Sequence, residues 1–384
     1  MTRKHSILII SILIISISVL AQKTKGYTID GTIPGLKDGS KISMKLQIFG
    51  VPFWGWSVVD STIAEAGKFH LSGFVKNGPR FFWLVFADKI CQLYIDNNDN
   101  IQINYDSLNI NPHTLLTDYL DVKGSQSDLA FQKFIRSNQS IILGLHKGNN
   151  SFQQIEDSIG FDPTLIGKVI CENEKFNEEV LVPYIMDPEK ILAYPFIAYS
   201  MLFELTKHAS FWIKGYNQLN KNLRESYYGT WLKGSLKLCV GQQLPSFSLP
   251  DKDGKMLALD NFVGYNKLTL VHFWATNSAF RKDFDNELRK VYKMYHAKGL
   301  EVVGISSDSY LDQWNETLTQ ENYIWPNVID AKGRKFVDTV YHELGSLERE
   351  NTTNVLLDKN GKIIAWDVTG PELQWYLWKN LVNN

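Results

Sequence analysis

Thiol chemistry is the first question the chain raises, because its 384 residues include three cysteines, Cys91, Cys171 and Cys239. They lie far apart, and no two stand at the Cys-x-x-Cys spacing that lets one thiol resolve the mixed disulfide formed by another. In an oxidising compartment two of them could pair and leave one over. As reduced thiols they would serve as small buried hydrophobes. No spacing suited to a metal site exists among them, so no metal and no cofactor is expected. The turn Asp96 to Asn100 opens like a calcium-binding loop, but Ile101 and Ser107 stand where such a loop needs glycine and glutamate. It reads as a polar hairpin turn. Ser278 could act as a hydrolytic nucleophile only with a base beside it. His272 is the nearest candidate base, yet no third group or oxyanion signature accompanies it, so a packed or solvated histidine is the reading preferred.

The elements that would position these residues fall into three regions behind a leader. Arg3, Lys4 and His5 form a basic start, Ile7 to Leu20 is almost unbroken aliphatic, and Val19, Leu20 and Ala21 precede a plausible cut before Gln22. This is the pattern of a secretory signal peptide over residues 1–21. An uncleaved anchor is the alternative, although the apolar run is shorter than a spanning helix wants. No cysteine sits at the cut. An exported protein of the periplasm or cell envelope is expected. A formal net charge of −1 provides no field to attract nucleic acid or an anionic membrane. Charged residues at 21% and hydrophobic residues at 44% fit folded globular domains.

Residues 22–120 read as an all-β domain. Tyr27 to Ile33 and Lys68 to Val75 alternate apolar and polar, and Phe81 to Phe86, Ile90 to Ile95 and Ile101 to Tyr105 follow at turn-separated intervals. Residues 121–238 carry helical signals. Among them are the Asp187-Pro188 start, the run Ile191 to Leu205 interrupted by Pro195, and Leu223, Tyr227, Trp231 and Leu238 near one face. Residues 239–384 change pattern again. Leu268 to Phe273 suits a buried central strand. Asp285 to His296 places Leu288, Val291, Tyr292 and Tyr295 on one helical stripe before Gly299, and Leu300 to Ser306 is a second buried strand. A hairpin from Asn354 to Trp366 and a helix from Pro371 to Leu381 complete the domain. The fold class expected is α+β multi-domain: an amino-terminal all-β domain, a helical linker and a carboxy-terminal α/β domain.

Motifs in that last domain resemble those of the TlpA-like and AhpC/TSA-type redoxins. Val240 to Leu249 follows V-G-x-x-x-P-x-F-x-L, Asp253-Gly254 and Leu259 to Gly264 match the next two signatures, and His272 to Thr276 and Glu301 to Asp308 match two strands. The resemblance implies a thioredoxin-like fold. The region upstream, through Gly26 to Ile33 and Ser226 to Gly229, is similar to the little-characterised amino-terminal part of exported bacterial proteins of this kind. Carried onto this chain, the resemblance puts Asn277 on the family's tryptophan, Ser278 on its nucleophilic cysteine, Ala279 and Phe280 between, and Arg281 on its resolving cysteine. Thr352 falls on its cis-proline, and His272 where thioredoxins often carry a buried acid. A candidate groove of Trp274, Asn277, Ser278, Arg281 and Thr352 follows, with no catalytic residue assigned. The function expected is a redox-inactive binding or scaffold module with a protein partner in the cell envelope, touching the membrane only through an uncleaved anchor. The alternative is a thiol–disulfide oxidoreductase or peroxiredoxin-like enzyme with a non-standard site, such as Cys239, or hydrolysis at Ser278.

Overall fold

A computed structural model describes residues 25–48, 55–86, 89–104, 121–137, 161–176, 209–278, 281–331, 336–337, 340 and 353–383. The expected leader, the Asp187-Pro188 start, the run Ile191 to Leu205 and Thr352 lie outside these residues. The amino-terminal strands are β1 (Tyr27–Thr32), β2 (Lys41–Ile48), β3 (Gly55–Ile63), β4 (Lys68–Gly73), β5 (Arg80–Phe86), β6 (Lys89–Ile95), β7 (Asn100–Asn104) and β8 (Asp121–Lys123). They form two four-stranded sheets, ordered β4-β1-β7-β8 and β3-β2-β5-β6. Alternation does the work. Ile29 of β1, Leu71 of β4 and Ile103 of β7 join Met44, Leu84 and Leu93 of the other sheet in one apolar cluster.

Two of these strands, β2 and β3, were not anticipated, and β8 carries the sheet past the boundary drawn at residue 120. β3 pairs only with β2 among the described strands and has no buried residue from Ser57 to Ile63, so no alternation marks it. A register shift opposite Met44 and Lys45 further breaks its period. A strand of three residues such as β8 is too short for any pattern.

The connecting region holds α1 (Gln126–Ser137), α2 (Pro163–Phe176), α3 (Ala209–Gln218), α4 (Lys221–Arg224) and α5 (Tyr227–Ser235). Ser226 caps α5, its Oγ accepting from the Gly229 amide at 3.1 Å, as serine does at a helix start.

The carboxy-terminal domain begins with the short pair β9 (Ser248–Pro250) and β10 (Met256–Ala258). It continues through β11 (Leu268–Trp274), α6 (Arg281–Tyr295), β12 (Leu300–Ser306), α7 (Leu311–Glu321), β13 (Asn327–Ile329), β14 (Thr353–Asp358), β15 (Ile363–Trp366) and α8 (Gly370–Leu381). Five strands make one sheet, β13-β12-β11-β14-β15. β11 runs parallel to β12 and antiparallel to β14, and every residue of it is buried, which explains its mostly apolar run. Val271 and Phe273 face one core; Leu268 and Leu270 face another shared with α6 and α8. α6 starts at Arg281 and not at Asp285, because its first turn buries Arg281 and Asp285, which a search for an apolar stripe passes over.

Candidate functional site

The segment between β11 and α6 is where the sequence placed its candidate groove. In the alternation of β11, His272 and Trp274 point to the α6 side of the sheet with Leu268 and Leu270. After Trp274 the chain turns through Thr276 and Asn277, and the Ser278 amide donates to Ala275 O at 3.1 Å. Asp308, just past β12, locks this turn. Its carboxylate accepts from the Thr276 amide at 3.0 Å, from Thr276 Oγ1 at 3.0 Å and from Ser306 Oγ at 2.7 Å. The Ser307 amide donates to Trp274 O at 2.9 Å, closing the ends of the two strands together.

The expected groove residues separate by burial. Asn277 is exposed and Ser278 half-buried, so both present surface. Trp274 is 2% exposed and Arg281 is 4% exposed. These two are interior, so they support the turn from below and do not line a groove. Trp274 Nε1 donates to Asn327 Oδ1 at 3.1 Å. Gly304 makes room for that bond: a Cβ there would come within 2.0 Å of Asn327 Oδ1 and 2.9 Å of Trp274 Nε1.

Arg281 belongs to a buried ionic cluster centred on Asp285. Asp285 Oδ2 accepts from Arg281 Nη1 at 3.1 Å and from Tyr323 Oη at 2.5 Å, and its Oδ1 lies 3.2 Å from His272 Nε2. Arg281 Nη1 also donates to Tyr323 Oη at 2.9 Å, and Nη2 reaches Glu321 Oε1 at 3.4 Å. His272 is fully buried against Phe284, ring centroids 4.9 Å apart. Its Nε2 faces the carboxylate, and its buried Nδ1 has no hydrogen-bond partner among the described residues. Burial by itself would raise the Asp285 carboxyl; bonds from His272 and Tyr323 and the charge of Arg281 outweigh it and hold the group below its usual value of 3.8. Burial first, and then Asp285, push the Tyr323 hydroxyl far up. His272 is thus committed to Asp285, so the packed reading of this residue holds.

Sequence reasoning missed Asp285, Tyr323, Asn327 and Asp308. Asp285 carried a signal, four residues after Arg281 on a helix. Tyr323 and Asn327 carried none, since only the fold brings them under the turn.

The thiols lie elsewhere. No disulfide joins the three cysteines: Cys91 and Cys239 are buried and Cys171 on α2 is exposed. Burial raises Cys239 to about 12 and Cys91 further still, so neither readily becomes a thiolate. Among the described residues no group of three or more His, Cys, Asp or Glu side chains could hold a metal. No helix among them is long and apolar enough to cross a membrane.

Residues 240–365 match the AhpC/TSA family, and residues 27–131 match the domain of unknown function DUF4369. Thiol-disulfide oxidoreductase ResA of Bacillus cereus is 29% identical over 149 residues, covering 37% of this chain and 79% of ResA. A thiol-disulfide oxidoreductase structure from Bacteroides fragilis is 28% identical with a TM-score of 0.32, covering 36% of this chain and 98% of its own. The thioredoxin domain of a thiol-disulfide oxidoreductase from Bacteroides vulgatus is 24% identical with a TM-score of 0.34, covering 38% of this chain and 99% of its own. The protein carries a thioredoxin-like redoxin domain of the AhpC/TSA type, behind an amino-terminal DUF4369 domain.

Proposed function

We propose that this redoxin domain no longer exchanges disulfides and serves as a binding or scaffold module of the cell envelope, contacting a protein partner at the surface of the turn carrying Asn277 and Ser278. One observation carries the reading: the segment from β11 into α6, Ala275 to Arg281, contains no cysteine. Thiol exchange, the activity named for the relatives, needs a thiolate with lowered pKa and a second thiol to resolve it. A hydroxyl at Ser278 cannot form a disulfide. Burial of Cys239 weighs against that residue as a substitute nucleophile. Commitment of His272 to Asp285 weighs against a hydrolytic dyad with Ser278.

Purified full-length protein is expected to show no insulin reduction and no peroxide consumption above background. Turnover that disappears in Ser278→Ala, or in any single Cys→Ser variant, would overturn the reading. Partner capture should be compared between wild type and Asn277→Ala, because Arg281→Ala would disturb the interior. Export belongs to the same proposal and rests on the leader pattern of residues 1–21. Mature protein recovered from the envelope fraction should begin at Gln22, or retain the leader if that segment anchors it; recovery from the cytoplasm alone would count against export.

A further inference from the structure

Helix α5 touches both domains, and its two ends are held by different chemistry. At its start, the Tyr227 amide donates to Asn77 O at 2.7 Å and the Phe81 amide donates to Tyr228 Oη at 3.2 Å. The Arg80 guanidinium lies 3.7 Å from the centre of the Tyr227 ring, a cation–π contact. Gly78, in the left-handed region at φ +78°, lets the turn before β5 approach this helix; a Cβ there would come within 2.8 Å of Ser226 Cβ. Tyr228 is buried, its ring 6.1 Å from Tyr94 of β6. All of these partners belong to the amino-terminal sheet β3-β2-β5-β6 or to the turn before it.

The other end runs through a short turn, Leu236–Leu238, into the redoxin domain. Trp366 Nε1 of β15 donates to Leu238 O at 2.6 Å, and Leu238 is packed in the core with Val355 and Leu357 of β14. The Gly241 amide donates to Ile363 O at 2.7 Å, and the Ile363 amide to Gln242 O at 2.9 Å. Trp366 leads directly to Asp367, whose carboxylate accepts from Thr353 Oγ1 at 2.8 Å.

We propose that Tyr227 to Leu238 is a rigid strap that joins the DUF4369 and redoxin domains into one cooperative body. Nine helical residues span only about 13 Å. Both ends are fixed by hydrogen bonds and packed rings, so bending it must break one set or the other. A load placed on the β5–β6 hairpin is therefore delivered to β15 and, through Asp367, to the start of β14 beside the turn. This holds whether or not that turn binds a partner.

The test uses the full chain and its own thiols. Cys91 lies in the amino-terminal core and Cys239 at the redoxin end of the strap, while exposed Cys171 is an internal control. Calorimetry and mass-resolved thiol labelling, normalised to rates in denaturant, are read on wild type and on the double variant Arg80→Ala, Tyr228→Phe. Wild type should unfold in one transition, with Cys171 labelled at once and Cys91 and Cys239 protected equally. The double variant should show two transitions, and the Cys91 and Cys239 rates should diverge by about tenfold, the effect of losing the hydrogen bonds of the Tyr228 hydroxyl. Two transitions or unequal protection in wild type would overturn the proposal. So would a double variant that keeps one transition and one shared rate. If the double variant does not fold, Tyr228→Phe alone, which removes the hydroxyl that accepts from the Phe81 amide and bonds to the Arg80 side chain, is read by the same divergence, with no divergence counting against the strap.

Discussion

Two carboxylates, one in each domain, behave in opposite ways: Asp285 is buried and Asp99 only half-buried. Asp285, under the redoxin turn, receives a bond from Tyr323, pairs with His272 and lies against the charge of Arg281. Asp99, in the turn entering β7, accepts from the Asp96 amide and Ser125 and has the Asp96 carboxylate nearby. Burial dominates at Asp99 and raises it from 3.8 to about 6; at Asp285 the partners win and the value falls below 3.8. Depth in the protein thus does not decide the sign. It depends on whether a cation and enough charge-assisted donors replace the lost water.

The signs lead to different pH windows. The stability contributed by Asp285 is present above its unfolded value of 3.8 and is lost as pH falls through its lower folded value. Asp99 does the reverse: its contribution is full below 3.8 and is lost as pH rises through about 6.

Removing the central anion gives the largest effect. Asp285→Ala leaves Arg281 buried without its main counter-charge and should destabilise the redoxin domain by about 3–5 kcal/mol, read by denaturant unfolding. A loss below about 1 kcal/mol would mean that Glu321 suffices as counter-charge. Tyr323→Phe removes one bond to the charged group and should lose about 1.5–3 kcal/mol. It should also move acid unfolding to higher pH, because Asp285 loses a donor. Asp99→Asn keeps an acceptor for the Asp96 amide and removes the charge. It should flatten the fall in melting temperature between pH 3.8 and about 6, and an unchanged slope would break the contrast between the two carboxylates. Asn277→Ala, on the exposed turn, should change stability by no more than about 0.5 kcal/mol, so any loss of partner capture reports on surface recognition.

Particular residues show how much of the molecule was legible. The mostly apolar run of β11 and the stripe Leu288, Val291, Tyr295 of α6 marked the redoxin core, because burial leaves a periodic trace in composition. β3 left no such trace, since an edge strand without a buried face has no alternation. At the turn, residue types identified the missing thiols, but not which neighbours pointed outward. Trp274 and Arg281 were grouped with Asn277, Ser278 and Thr352 because the resemblance puts them at the family's active-site positions, and the fold sends the first two inward.

The amino-acid order by itself determined the three-region organisation, the redoxin frame and the absence of a cysteine between β11 and α6, since each is written in local pattern or residue identity. Only the tertiary structure decided what the turn rests on. The Asp285 cluster draws on β11, α6 and Tyr323, 38 residues from Asp285, and the strap joins Phe81 to Tyr228 across 147 residues. Such contacts depend on how separate elements pack, and a side chain's charge or hydrogen-bond partner is not fixed until they do.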